Sequence, residues 1–159
     1  MSRRVPTPAT VKLPARARVA IVAARFNADI VDELLAGCRS RLAELGLPES
    51  KVEIYRVPGA FELPVTAQAL AKTRKFSAVI CLGCVVRGDT PHFDYVAGQA
   101  AAGIQQAALA TSLPIIFGVL TTETHQQALD RIGGSHGHAG RQAADAAVEM
   151  IAVMSRIRR

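Results

Sequence analysis

The chain has 159 residues, half of them hydrophobic and only 4% aromatic, with a formal charge of +6 at neutral pH. That length builds one ordinary domain, and an apolar content made mostly of Ala, Val, Leu and Ile excludes a disordered chain. Nor does the charge describe a nucleic-acid stripe: Arg3, Arg4, Lys12, Arg16 and Arg18 at one end and Arg156, Arg158 and Arg159 at the other supply eight of the 19 basic residues, while the stretch between holds 11 against 13 acids with no interleaved aromatics. Residues 1–17 read as a basic N-terminal arm whose prolines spoil the amphipathic helix of a transit peptide, ahead of a single domain over 18–159. Cys38, Cys81 and Cys84 are an odd number in a chain with no apolar signal segment, which points to the reducing cytoplasm.

After the arm, "RVAIVAA" (18–24) is a continuous run that suits a strand covered on both faces. Val31, Leu34, Leu35, Cys38, Leu42 and Leu45 recur at helical spacing, and Gly46 and Pro48 end that helix. "KVEIYRV" (51–57) is a second strand, closed by Pro58 and Gly59. Leu63, Ala67, Leu70 and Ala71 mark a second helix, which tolerates Pro64 only in its first turn.

"SAVICLGCVV" (77–86) is a third, buried strand. The stretch from Asp94 to Ser112 is helical in composition but apolar nearly all round, so two of its faces need cover and a second subunit is expected to supply one. Gly98, Gly103, Gln105 and Gln106 break this uncharged stretch too often for a membrane span. "LPIIFGVLTT" (113–122) is expected as a fourth buried strand, and Ala144, Ala147, Val148, Ile151 and Met154 line a final helix. Strands alternating with helices predict an α/β fold: a four-stranded parallel sheet in a three-layer α/β/α sandwich, flavodoxin-like, with right-handed crossovers.

Ligands in such sheets sit beyond the carboxyl ends of the strands. Four places are thereby selected: "ARFN", "PGAFE", "RGDTPH" and "TTET". In the third, Gly88 permits a sharp turn, and Asp89 and Thr90 are good caps for a helix beginning at Pro91, whose free N–H groups would receive an anion. His92, in the first turn beside that mouth, is a candidate general acid and base, with an ordinary polar residue at a helix start as the competing reading. Phe26 is a candidate stacking platform or else a core residue, and Glu62 is either a hydrogen-bond acceptor for ligand hydroxyls or simply the start of a helix.

"RIGGSHGHAGR" (131–141) joins two helices and matches neither a dinucleotide nor a phosphate-loop pattern, which leaves a flexible turn as its plain reading. The planar fork of Arg131 would match phosphate oxygens. His136 and His138 lack a third ligand for a metal, and Cys81 and Cys84 should point to opposite faces of a strand, which argues against a redox pair.

Together "ARFN", "VPGAFELP", "LGCVVRGDTPHFDYV", "PIIFGVLTTET" and "QALDRIGG" resemble the lumazine synthases, and the likeness runs in family order from about Arg18 to Met150. The resemblance implies condensation of 5-amino-6-ribitylaminouracil with 3,4-dihydroxy-2-butanone 4-phosphate to 6,7-dimethyl-8-ribityllumazine, the penultimate step of riboflavin biosynthesis, with no metal or organic cofactor. It implies that Phe26 stacks on the pyrimidine, that Ala60, Phe61 and Glu62 hold the ribityl chain and ring edge, and that Cys84, Val85 and Val86 surround the ring. By the same resemblance Asp89, Thr90 and Arg131 bind phosphate, Phe117 closes the site from a neighbouring subunit, and His92 moves protons.

Homo-oligomers are implied too: pentamers that stay single, pair, or assemble as twelve into an icosahedral capsid, the short "GGSHGHAG" turn being similar to that of shell-forming members. No nucleic-acid or membrane partner is implied. Two positions depart from the family pattern, Ala139 where lysine is usual and Gln142 where an acid is common, and Arg141 is expected to replace the missing cation. A binding module that only holds a lumazine or flavin, and a flavodoxin-like electron carrier, are the competing functions.

Overall fold

Val19–Ala24 forms β1, and all six of its residues are buried, as a β-branched and alanine run allows when helices cover both faces of a sheet. The computed structural model describes residues 10–159; the rest of the expected arm, including Arg3 and Arg4, lies outside the described residues. Strand β1 pairs in parallel with β2 (Val52–Val57) on one side and with β3 (Ala78–Val86) on the other. Strand β4 (Ile115–Thr122) pairs in parallel with β3, giving the order β2-β1-β3-β4.

Side-chain alternation along the strands divides the core in two. Val19, Ile21, Ala23, Ile80 and Leu82 face one layer, against Ile30, Val31, Leu34 and Leu42 of α1 (Ala28–Glu44) and Ala144, Val148 and Ile151 of α5 (Ala139–Ile157). Ala20, Val22, Val79 and Cys81 face the other, against Leu63, Ala67 and Leu70 of α2 (Leu63–Lys72) and Ala100, Ile104 and Ala107 of α3 (His92–Thr111). The expected sandwich is therefore the observed one, with Pro64 in the first turn of α2 as its missing N–H requires.

Three features depart from or sharpen the sequence reading. Strand β4 is not a fully buried strand: among the described residues it lies at the outer edge of the sheet with no strand beyond it, and Phe117 is 45% exposed. The 131–141 segment is not a plain turn, since Ile132–Gly134 (β5) and Gly137–His138 (β6) pair as an antiparallel hairpin after the short α4 (His125–Leu129). Gly133 and Gly137 make that hairpin possible, at φ 101° and 78°, where a side chain would be strained. Helix α3 buries only Ala100, Ile104 and Ala107, leaving Tyr95 and Leu109 open to solvent in the single chain. No helix among the described residues is long and apolar enough to cross a membrane.

Candidate active site

The carboxyl ends of β1, β2 and β3 build one concavity. Beyond β1 the ladder continues for two residues, Arg25 N donating to Val57 O at 2.8 Å and Phe26 N to Pro58 O at 3.1 Å, and this turns the Phe26 ring outward to 73% exposure. Asn27 then adopts the left-handed conformation (φ 56°, ψ 50°) that asparagine tolerates better than most residues, and its side-chain amide donates to Cys84 O at 2.8 Å. The tips of β1 and β3 are thereby locked together under the aromatic ring.

After β2 the chain makes a single tight turn, Ala60–Glu62, that leads straight into α2. One carboxylate oxygen of Glu62 accepts from Gly59 N at 2.9 Å, so the residue caps the turn, as its helix-start reading expects, and it also lines the cavity. Phe61 is 58% exposed, while Ala60 is buried at the floor.

Beyond β3 the chain runs through Arg87, Gly88, Asp89 and Thr90 into α3. Thr90 Oγ1 accepts from His92 N at 3.4 Å, and His92 itself opens the helix, one residue later than the cap residues suggested. Arg87 steadies this mouth: its Nε lies 2.6 Å from Glu123, another nitrogen lies 3.2 Å from Asp94 on α3, and its guanidinium lies 4.3 Å from the centre of the Phe93 ring.

The resulting cavity has a volume of about 510 Å³ and is lined by Phe26, Asn27, Gly59, Ala60, Phe61, Glu62, Cys84, Val85, Val86, His92, Tyr95 and Val96. Eight residues singled out from the sequence meet here. Asp89 and Thr90 are exposed just outside its lining. Phe117 and Arg131 are elsewhere in the chain: with Thr121, Gln127, Asp130 and His136 they line a second cavity, also of about 510 Å³, along β4 and the hairpin.

Sequence reasoning passed over Asn27, Gly59, Tyr95, Val96 and Arg87. The first had a signal, an asparagine directly after a buried strand where the backbone must reverse. Tyr95 and Val96 follow His92 by one helical turn, the spacing at which a side chain shares its face.

A family model described as 6,7-dimethyl-8-ribityllumazine synthase matches residues 16–155. The chain belongs to this family. Its relatives of that name include one from Coxiella burnetii, 48% identical over 140 residues that cover 88% of this chain and 93% of the relative. Another, from Protochlamydia amoebophila, is 47% identical over 136 residues, 86% of this chain and 79% of its own. A third, from Salinibacter ruber, is 46% identical over 140 residues, covering 88% and 90%.

As a lumazine synthase family member the chain needs one correction. Arg141 does not stand in for the cation absent at Ala139: both its terminal nitrogens fork onto Glu44 at the end of α1, at 3.1 and 2.7 Å, and it lines neither cavity. Helix α5 sets that direction, because Arg141 lies on the face packed against α1, where Arg41 also reaches Asp145 at 2.7 Å. His138 is occupied as well. Its Nδ1 accepts from Arg141 N at 3.4 Å to cap α5, its ring fills the space over Gly37, and burial, assisted by the Arg141 charge, pushes its pKa down.

His136 is the histidine left on the hairpin surface, in the second cavity with Arg131 and bonded at Nδ1 to Ser135 Oγ at 2.9 Å. Cys81 and Cys84 belong to opposite core layers and are unpaired, and burial pushes the Cys81 thiol up to about 12 and that of Cys84 up to about 11, with the Asp29 charge contributing to the latter. Neither is a ready nucleophile.

Proposed function

We propose that the chain condenses 5-amino-6-ribitylaminouracil with 3,4-dihydroxy-2-butanone 4-phosphate to 6,7-dimethyl-8-ribityllumazine, releasing phosphate and water, with His92 as its proton carrier. Membership of the family supports the reaction. The observation that supports the residue roles is that three separate strand ends bring Phe26, Glu62 and His92 to one cavity. A solvent-facing phenyl ring supplies a stacking surface, the free oxygen of Glu62 accepts from ribityl hydroxyls, and Val85 and Val86 flank the ring.

Imine formation, loss of phosphate and ring closure are proton transfers between positioned partners, so one imidazole at the lip suffices without a strong nucleophile. The start of α3, with the backbone N–H groups around Asp89 and Thr90, is the place for the departing phosphate, since aligned peptide dipoles favour the charge that develops there.

The site is completed between subunits. Phe117 and Arg131 lie together but in a different cavity from His92, so a neighbour presenting that cavity would add a second aromatic wall and a guanidinium to the phosphate. The uncovered apolar residues of α3 support a pentameric ring that buries them, and the three unpaired cysteines support a cytoplasmic home.

Supplying both substrates and following the lumazine fluorescence tests the reading. Steady product well beyond one equivalent per chain is expected, whereas a single equivalent would show a binding module. The His92→Ala variant should lose about a hundredfold or more in kcat, with light scattering unchanged. Turnover equal to wild type in that variant would remove His92 from its role.

A further inference from the structure

Basic residues from both ends of the described chain, which the reaction leaves unused, meet at the other end of the sheet. Arg16 from the segment before β1, Arg74 and Lys75 from the turn before β3, and Arg158 and Arg159 at the close of α5 line a single cavity of about 720 Å³. It opens at the amino ends of the strands, so the six-residue length of β1 sets it about 20 Å from the His92 cavity.

Among the described residues no acid lines it. Among the described residues Arg16, Arg74 and Arg159 form no salt bridge. Arg158 spends one nitrogen on the Ser112 carbonyl at 2.6 Å, and Lys75 alone meets a carboxylate, that of Glu53, which Arg18 shares. Like charges gathered without counter-charges raise the local potential and draw anions.

The backbone carries an independent mark. Arg74 sits at φ 58°, the left-handed region where glycine is the unstrained residue and a side chain is strained. A glycine would end α2 more comfortably, but it would remove a guanidinium from the cavity lip. Strain retained at a charged, solvent-facing position points to a role for the side chain rather than for the turn.

We propose that this cavity binds an oligophosphate, a ligand presenting several linked phosphates to the guanidinium forks. Arginine suits this chemistry because its planar donors bind phosphate oxygens in pairs. The aromatic residue of the lining, Phe76, is buried at 5% exposure and offers no platform for a base. Recognition therefore rests on the phosphate chain, which inorganic tripolyphosphate and a nucleoside triphosphate share. A concave cavity without stacking surfaces also fits such a ligand better than an RNA strand, which spreads along a groove and stacks its bases.

Calorimetric titration of the full chain at physiological salt, with tripolyphosphate, magnesium-free ATP, orthophosphate and a single-stranded RNA as separate probes, tests the proposal. Phosphate compounds also reach the His92 cavity, so the informative quantity is the difference between wild type and Arg74→Gly, a variant that relieves the backbone strain and keeps the fold. Wild type should bind tripolyphosphate and ATP at a site that Arg74→Gly weakens about tenfold, and that Arg158→Ala with Arg159→Ala weakens further, while lumazine formation is unchanged. Tighter binding of ATP would assign the natural ligand to the nucleotides, and tighter binding of tripolyphosphate to inorganic chains. Binding that is identical in wild type and both variants, orthophosphate binding as tight as tripolyphosphate, or saturable binding of RNA alone would overturn the proposal.

Discussion

Co-expressing His92→Ala and Arg131→Ala chains in equal amounts should restore about a quarter of the wild-type turnover per site, although each variant alone is nearly inactive. The figure follows from the separation of the two cavities, one lined by His92 and the other by Arg131. In the proposed closed ring each site would take its first cavity from one chain and its second from the next. Of the four ways to draw two neighbours from an equal mixture, only one pairs an intact His92 with an intact Arg131. Loss of the imidazole should cost about a hundredfold or more, and loss of a guanidinium–phosphate pair about 1.5 to 3 kcal/mol, roughly ten- to 150-fold. The parents therefore retain at most about a tenth of full activity, and recovery to a quarter is readable above them. The assay is lumazine formation at concentrations of both substrates well below saturation, where a lost phosphate contact is felt in the rate, on assemblies purified through a different tag on each variant. A rate equal to the mean of the two parents would show that each site is built within one chain, and would refute the shared-site reasoning.

Glu44 and Glu53 are held down to about 2, Glu44 first by Arg141 and then by Arg41, Glu53 first by Lys75 and then by Tyr55. A carboxylate whose pKa is lower in the folded chain favours folding above its unfolded value of 4.5, and that contribution fades as the pH falls towards about 2; urea midpoints should drop across this window, and Glu44→Gln should flatten the slope. Gly140→Ala should destabilise by about 3 kcal/mol, because a Cβ there would fall inside contact distance of the Leu34 carbonyl oxygen and 2.8 Å from its carbon, prising α5 from α1; an unchanged midpoint would contradict this packing. None of the three cysteines should react with a thiol reagent in the native protein, since burial raises the Cys38 and Cys81 thiols to about 12 and Cys84 to about 11, and all three should titrate at once in guanidinium.

The sheet and its four flanking helices could be read from the sequence because both rest on local periodicity: Val31, Leu34, Cys38 and Leu42 are spaced as a buried helical stripe, and all four are buried. Phe26 stands open between platform and core in the sequence, and its 73% exposure decides against the core. What the pattern could not show depends on partners distant in sequence. Arg141 reads as an available cation until Glu44, 97 residues earlier, is found against it. Asn27 draws no notice in the sequence until its amide is seen on Cys84, 57 residues later. The 131–141 segment has the composition of a flexible turn, and its pairing as a hairpin depends on positive φ at two particular glycines rather than on any periodicity.

The strand order fits the proposed site shared between chains. Strands β2, β1 and β3 feed the first cavity, and β4, at the far edge, feeds the second together with the hairpin. Neighbouring strands are about 4.8 Å apart, so β2 and β4 are separated by about 14 Å, and the loops that would bridge them over the top of the sheet are short. The turn after β2 runs directly into α2, and the segment after β3 is held down by the contacts of Arg87 to Glu123 and Asp94. A chain with such rims cannot fold its own Arg131 onto its own His92 without lengthening a loop. A rotational neighbour can bring the same residue there by presenting its opposite edge, and the same ring would cover the apolar side chains that α3 leaves in water. Short loops, an uncovered helix and a divided pair of cavities are then what the proposed ring would account for together: in it the assembly, rather than the single chain, would close the active site.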